Sequence, residues 1–147
     1  LVRGTRYAND IKAATQSADE LNVNEAKKRS PLYRDFPQTD SKFYLFSGYH
    51  DGADQGPVPL SHTLDFYNKF AQDHGAGDSD LISKDNYIKL LTREIPPNID
   101  EQIDGRPIVY SKSFNNISIV IFDGGHDHLA NHTVKLIKEN IKTRIPI

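Results

Sequence analysis

Apolar residues recur at helical spacing in four stretches of this chain, which predicts helices that lay one face on a core. The clearest stretch begins after Pro59 and is stopped by Gly75 and Gly77, because glycine commonly ends a helix. The residues expected to face inward in this helix are Leu60, Leu64, Tyr67, Phe70 and Ala71. The other three helices are predicted from Tyr7 to Leu21, from Lys84 to Glu94 and from about Ala130 to Arg144.

Flanking residues and spacing add detail to the helices outside this clear case. Asn24 is a candidate cap for a short turn through Lys28, which Ser30-Pro31 would end, and Ser83 is a candidate N-cap for the helix from Lys84. The apolar residues expected to face inward are Tyr87, Ile88 and Leu91 in that helix, and Val134, Ile137 and Ile141 in the last one.

Three shorter apolar runs predict strands: Phe43 to Phe46, Pro107 to Ser111 and Ile117 to Phe122. The first has the pattern of a strand covered on both faces, and the connection Asn115-Asn116 suits an antiparallel pairing of the other two. The order of elements is therefore helix, strand, helix, helix, strand, strand, helix. We expect an α/β fold with about three strands flanked by helices, in a single domain over residues 1–147.

Composition and charge exclude several classes of function. The chain has 37% hydrophobic residues, no cysteine and no apolar run of the length of a membrane span, so neither disulfides nor a membrane partner is expected. Residues 36–105 carry 12 acidic and 5 basic residues, a net charge of −7, which repels phosphate backbones. Nucleic-acid binding is therefore not expected, and the cellular compartment stays open.

Two glycine-rich loops follow predicted strands and carry the candidate catalytic residues. Asp51 lies in the first loop, and His126 follows Gly124-Gly125 in the second. In open α/β sheets, ligands bind where the carboxyl ends of strands meet. A carboxylate that orients an imidazole makes that imidazole a general base for a nucleophilic hydroxyl. Such a nucleophile is not evident, because the chain contains no G-x-S-x-G motif.

Both loops resemble those of α/β-hydrolases. The run Phe46-Ser47-Gly48-Tyr49-His50-Asp51, followed by Val58-Pro59 and a helix, is similar to the family's loop that supplies the acid of the catalytic triad. Phe122-Asp123-Gly124-Gly125-His126 is similar to the histidine loop, and Ser30-Pro31 resembles a Ser-Pro that often precedes the penultimate strands. The likeness is greatest to the prolyl-oligopeptidase-like and serine esterase branch, and it covers only the C-terminal half of such an enzyme.

The resemblance implies a serine hydrolase that cleaves a small ester or peptide by acyl transfer, without a cofactor. Asp51 would be the triad acid and His126 the base, while the nucleophile and oxyanion hole would lie upstream, so this chain alone is expected to be inactive. The family usually has only a few residues between the acid and the Val-Pro pair, whereas here Gly52 to Pro57 intervenes. Asp54 is therefore a rival for the acid, and His128 competes with His126.

Other readings of the same residues remain open. Asp51 in a glycine-rich loop is also typical of a turn that bonds its own backbone, and His126 could be an ordinary surface histidine. Asp123, His126, Asp127 and His128 lie within six positions and offer donors for a divalent metal. Adjacent positions on a short loop seldom converge on one ion, so no metal is assigned. The competing class is a non-catalytic α/β binding or assembly module.

If the chain forms only the C-terminal half of a hydrolase sheet, we expect it to bind a further protein segment. The strand that normally pairs with the other half would keep an open edge, and such edges recruit further strands. We therefore expect either the N-terminal half of the same protein or self-association through that edge.

Overall fold

The structure is a computed structural model that describes residues 8–18 and 20–142. The chain divides into two compact units, residues 1–38 and 39–147. The single domain expected over residues 1–147 stays a prediction. Among the described helices, none combines the length and the apolar character that crossing a membrane requires.

The first unit contains two short helices. Helix α1 spans Ala8–Ala14 and α2 spans Val23–Arg29, followed by a 3₁₀ turn at Pro31–Tyr33. The first helix is thus shorter than predicted, and its expected start at Tyr7 lies outside the described residues. The predicted cap Asn24 is wrong, because Asn22 caps α2 by accepting a hydrogen bond from the Glu25 N–H at 3.2 Å.

The second unit is built on a four-stranded mixed sheet. Its strands are β1 (Phe43–Gly48), β2 (Asn98–Ile103), β3 (Arg106–Phe114) and β4 (Ile117–Phe122), in the spatial order β1-β4-β3-β2. β1 runs parallel to β4, and the other neighbours are antiparallel. The α/β class and the antiparallel β3–β4 pair are confirmed. The number of strands is four, not about three.

The strand missed by the sequence pattern is β2. Its residues Asn-Ile-Asp-Glu-Gln-Ile are mostly polar, and all but Ile103 are exposed, so no buried run marks it. β2 is at one end of the sheet and β1 at the other. β1 is not covered on both faces as predicted, because Tyr44 is 37% exposed.

Helix α3, Leu60–Asp73, buries one face of the sheet. Its five buried residues are the five predicted ones, and the helix contacts β1 and β4. The opposing isoleucines of β4, at positions 117, 119 and 121, are at most 1% exposed. Burying each such side chain contributes about 1.5–3 kcal/mol, so α3 and β4 anchor the end of the sheet from which the two candidate loops emerge.

The remaining helices depart from their predicted faces. Helix α4 spans Lys84–Leu91, and Ser83 caps it as predicted, accepting from the Asn86 N–H at 3.2 Å. Its buried residue is Leu90. Of the three predicted inward residues, Tyr87 is partly buried, whereas Ile88 and Leu91 are 48% and 40% exposed. Helix α5 spans Ala130–Lys142. Two of its three predicted inward residues, Val134 and Ile137, are 49% and 54% exposed, and the side chain of the third, Ile141, lies outside the described part.

Candidate active site

The parallel pairing of β1 with β4 brings the two candidate loops together. The strands pair in register from Phe43 with Ile117 to Gly48 with Phe122, so they end at the same edge of the sheet. Pairing continues beyond them: the His50 N–H donates to the Gly124 carbonyl at 2.9 Å. We call residues 49–59 the Asp51 loop and residues 123–129 the His126 loop.

Asp51 and His126 form a hydrogen-bonded pair. The Asp51 Oδ2 lies 2.7 Å from the His126 Nδ1, although the residues are 75 positions apart in the chain. The other carboxylate oxygen accepts from the Val58 N–H at 3.0 Å. The backbone carbonyl of Asp51 accepts from the Arg93 guanidinium at 3.4 Å. Asp51 is therefore fixed from three directions.

The exposure of the pair is unequal. The Asp51 side chain is 7% exposed and the His126 side chain is 58% exposed. An ionised carboxylate only accepts hydrogen bonds, so the contact places the imidazole proton on Nδ1 and leaves the lone pair of the neutral ring on Nε2. No residue in the described part of the chain bonds to Nε2. The pair thus presents an oriented, open proton acceptor.

Glycine is required where the two loops touch. A Cβ added at Gly56 would lie 2.2 Å from the Asp51 Oδ1 and 2.7 Å from the His126 Cβ. A Cβ at Gly48 would lie 1.9 Å from the Gly125 carbonyl oxygen, and one at Gly125 would lie 2.5 Å from the Gln55 carbonyl oxygen. These distances are far below van der Waals contact, so side chains at these positions would push the loops apart.

The rival residues have different environments. The Asp54 side chain is 71% exposed, and its nearest basic group is the His50 Nδ1 at 3.9 Å. It makes no contact with His126 among the described residues. His128 is exposed and lies beside a groove rather than in the pair. The geometry brings together Asp51 and His126 and leaves Asp54 and His128 apart from them.

The acidic residues around His126 each have a separate partner. Asp123 contacts His50, and Asp127 accepts a hydrogen bond from the Arg106 guanidinium at 2.5 Å. That hydrogen bond holds the pKa of the Asp127 carboxyl below its usual range. The described residues contain no group of three or more histidines and carboxylates arranged to hold a metal ion.

His50 carried no predicted role, yet it bridges the two loops. Its Nε2 lies 3.1 Å from the Asp123 Oδ1. Both residues were visible in the sequence beside Asp51 and His126, but only the register of β1 with β4 shows that they meet.

Comparison of the chain with protein-family models, curated proteins and solved structures found no match. The case for the site therefore depends on its geometry and on the resemblance of its two loops to those of α/β-hydrolases.

Proposed function

We propose that this chain supplies the acid and the base of a Ser-Asp-His triad in a serine hydrolase that cleaves a small carboxylic ester or peptide. The observation that carries the proposal is the 2.7 Å contact between the Asp51 Oδ2 and the His126 Nδ1, in a histidine whose side chain is 58% exposed. A buried acid behind an accessible imidazole is the arrangement that general-base catalysis needs.

The proposed mechanism uses each nitrogen of His126 for one task. The Nε2 accepts the proton of the serine hydroxyl as its oxygen attacks the substrate carbonyl, and an acyl-enzyme forms when the protonated imidazole returns the proton to the leaving group. A water molecule then repeats the sequence and releases the acid product. Throughout, Asp51 holds the Nδ1 proton and stabilises the imidazolium.

The serine and the oxyanion hole belong, in this proposal, to a segment upstream of residue 1 that docks at β1. β1 pairs only with β4 among the described strands, so its other edge offers backbone donors and acceptors to a further strand. This open edge ends at the Asp51 loop. A strand added there parallel to β1 would place its own terminal loop beside the Asp51 loop, on the side of the sheet edge that also carries His126.

A groove beside β1 supports this docking position. It has a volume of about 890 Å³ and reaches from the edge strand to His128 in the His126 loop. Its apolar lining comes from β1, the His126 loop and α5, and consists of Tyr44, Phe46, Leu129, Leu136 and Ile137. Exposed apolar groups in a concave surface mark an interaction site more often than a solvated one. We assign the same upstream segment to this groove.

Ester hydrolysis tests the proposed chemistry. The 147-residue chain should neither turn over p-nitrophenyl esters nor react with a fluorophosphonate probe, whereas the chain extended upstream should do both. His126→Ala in the extended protein should abolish turnover, and His128→Ala is the matched control that should retain it. Turnover by the 147-residue chain alone would refute the proposal. So would inertness of the extended protein, which would favour the non-catalytic binding or assembly module.

Sedimentation tests the docking position. We expect the 147-residue chain either to bind an added upstream fragment or to self-associate through the same edge. Tyr44→Lys places a charge on β1 and should weaken both interactions, because charged side chains block edge pairing. Ile99→Lys is the matched control, since Ile99 is 72% exposed on β2 at the opposite edge of the sheet. A monomer that ignores the fragment, or equal effects of the two substitutions, would contradict this position.

A further inference from the structure

A second histidine–carboxylate contact spans the same two loops as the Asp51–His126 pair. The His50 Nε2 lies 3.1 Å from the Asp123 Oδ1, and the side chains are 31% and 39% exposed. The direction of the contact is reversed: the Asp51 loop contributes the carboxylate to the first pair and the imidazole to the second. Two side-chain links therefore join neighbouring positions of one loop to the other.

The His126 loop is rich in glycine and is held at both ends. Gly124 and Gly125 separate Asp123 from His126, and glycine has the widest backbone freedom of any residue. The loop is held at its far end by Asp127, which accepts from both the Arg106 guanidinium and the Gly125 N–H. At its near end, the Asp123 N–H donates to the Pro107 carbonyl at 2.8 Å, and the His50–Asp123 contact adds a direct side-chain link to the Asp51 loop.

The His50–Asp123 contact should contribute little to folding stability, so its expected role is to position the His126 loop. A single net hydrogen bond contributes about 0.5–1.5 kcal/mol to stability. A displacement of about 1 Å at a reacting group, in contrast, costs roughly 10²-fold in rate. Loss of this contact should therefore have a small effect on unfolding and a much larger effect on the Asp51–His126 geometry.

We infer that His50 and Asp123 are positioning residues that hold the His126 loop at the distance where Asp51 reaches Nδ1. This inference rests on the proposed function of Asp51 and His126 as triad acid and base. His50 acts by donating its Nε2 proton to Asp123, while its backbone N–H fixes the Gly124 carbonyl at 2.9 Å. Neither side chain is assigned a contact with substrate.

Nuclear magnetic resonance on the 147-residue chain tests the inference without requiring activity. In the unsubstituted chain, the proton on the His126 Nδ1 should exchange slowly with water because Asp51 holds it. His50→Ala and Asp123→Ala should each accelerate this exchange severalfold, and the double variant should be no worse than either single variant, because both remove one contact. His50→Gln should restore slow exchange, since its amide can donate to Asp123. His62→Ala, on the exposed surface of α3, is the matched control.

In the extended, active protein the same substitutions should separate rate from binding. His50→Ala should lower kcat by about 10- to 100-fold with little change in KM, and His50→Gln should recover most of the loss. Slow Nδ1 exchange that persists in His50→Ala and in Asp123→Ala would overturn the positioning role and leave the proposed triad intact. Fast exchange in the unsubstituted chain would overturn both, because the Asp51–His126 pair would then not form.

Discussion

Asp51→Asn is the substitution that most directly tests the orientation of His126. Asparagine has the shape of aspartate, so its carbonyl oxygen can still accept from the Val58 N–H, now 3.0 Å from the carboxylate. Its NH₂ group would then occupy the place of Oδ2, 2.7 Å from the His126 Nδ1. Two donors cannot face each other at that distance, so the ring proton should move from Nδ1 to Nε2.

The loss of rate in Asp51→Asn follows from the loss of the lone pair on Nε2. A proton on Nε2 removes the lone pair that accepts the proton of the nucleophile, so the base is present in the wrong tautomer. The equivalent change in other triads costs on the order of 10⁴ in rate, and each factor of ten corresponds to about 1.4 kcal/mol of activation free energy. We therefore expect a rise in the barrier of about 5.5 kcal/mol. The loss of folding stability should be nearer 1 kcal/mol, the value of one net hydrogen bond.

The assay has two parts, one for each consequence. Nitrogen chemical shifts of the His126 ring in the 147-residue chain report the tautomer, and ester turnover by the extended protein reports the rate. Asp54→Asn is the matched control, because the Asp54 side chain is 71% exposed and is not hydrogen-bonded to His126. An unchanged tautomer in Asp51→Asn, or a loss of rate in Asp54→Asn alone, would refute the assignment of Asp51 as the acid.

Three further predictions concern the base, the loop contact and the core. His126→Ala in the extended protein should remove acyl transfer while the Tm changes little, since the His126 side chain is 58% exposed; a large fall in Tm would show a structural role instead. Gly56→Ala should separate Asp51 from His126, because the new Cβ would lie 2.2 Å from the Asp51 Oδ1, and it should cost about 1–3 kcal/mol of stability. Gly77→Ala is the control, because its Cβ would meet nothing nearer than 3.7 Å. Equal unfolding midpoints of the two variants in denaturant would contradict the contact at Gly56. Burial raises the pKa of Tyr67 to about 12 from 10.0, so the stability that depends on the neutral phenol should be intact below pH 10 and fall by roughly 2–3 kcal/mol as the pH rises through about 12. Tyr67→Phe should remove this share of the alkaline loss, measured by denaturant unfolding against pH together with tyrosinate absorbance.

The parts of the fold that were predictable are those with a complete local pattern. The five inward residues of α3 and the bounds of β4 follow from spacing alone, because both elements bury a whole face within this chain. β2 has no such pattern, since its pairing with β3 buries only Ile103. Two predicted inward residues of α4 and two of α5 are exposed for a related reason: helical spacing shows which residues share a face, not whether anything covers that face.

The contacts of the candidate site also differ in whether the local sequence pattern predicts them. The meeting of Asp51 with His126 was predictable because each follows a strand in a glycine-rich loop, and the two strands end at one edge of the sheet. The contact of His50 with Asp123 was not, because it joins positions 73 apart and depends on the register of two parallel strands. Pairwise links across loops therefore require the sheet, even when their members stand next to predicted residues.

The extra segment from Gly52 to Pro57 was the main departure from the hydrolase pattern, and its structure explains how the site accommodates it. The segment folds back on itself, with the Gly52 N–H donating to the Gly56 carbonyl at 3.0 Å. The turn delivers the Gln55 carbonyl to the His126 N–H, also at 3.0 Å. Gly56 then passes close to both Asp51 and His126, where it has no side chain to push them apart. The added residues therefore provide a backbone link to the proposed base, and they do so without displacing Asp51 as its carboxylate partner.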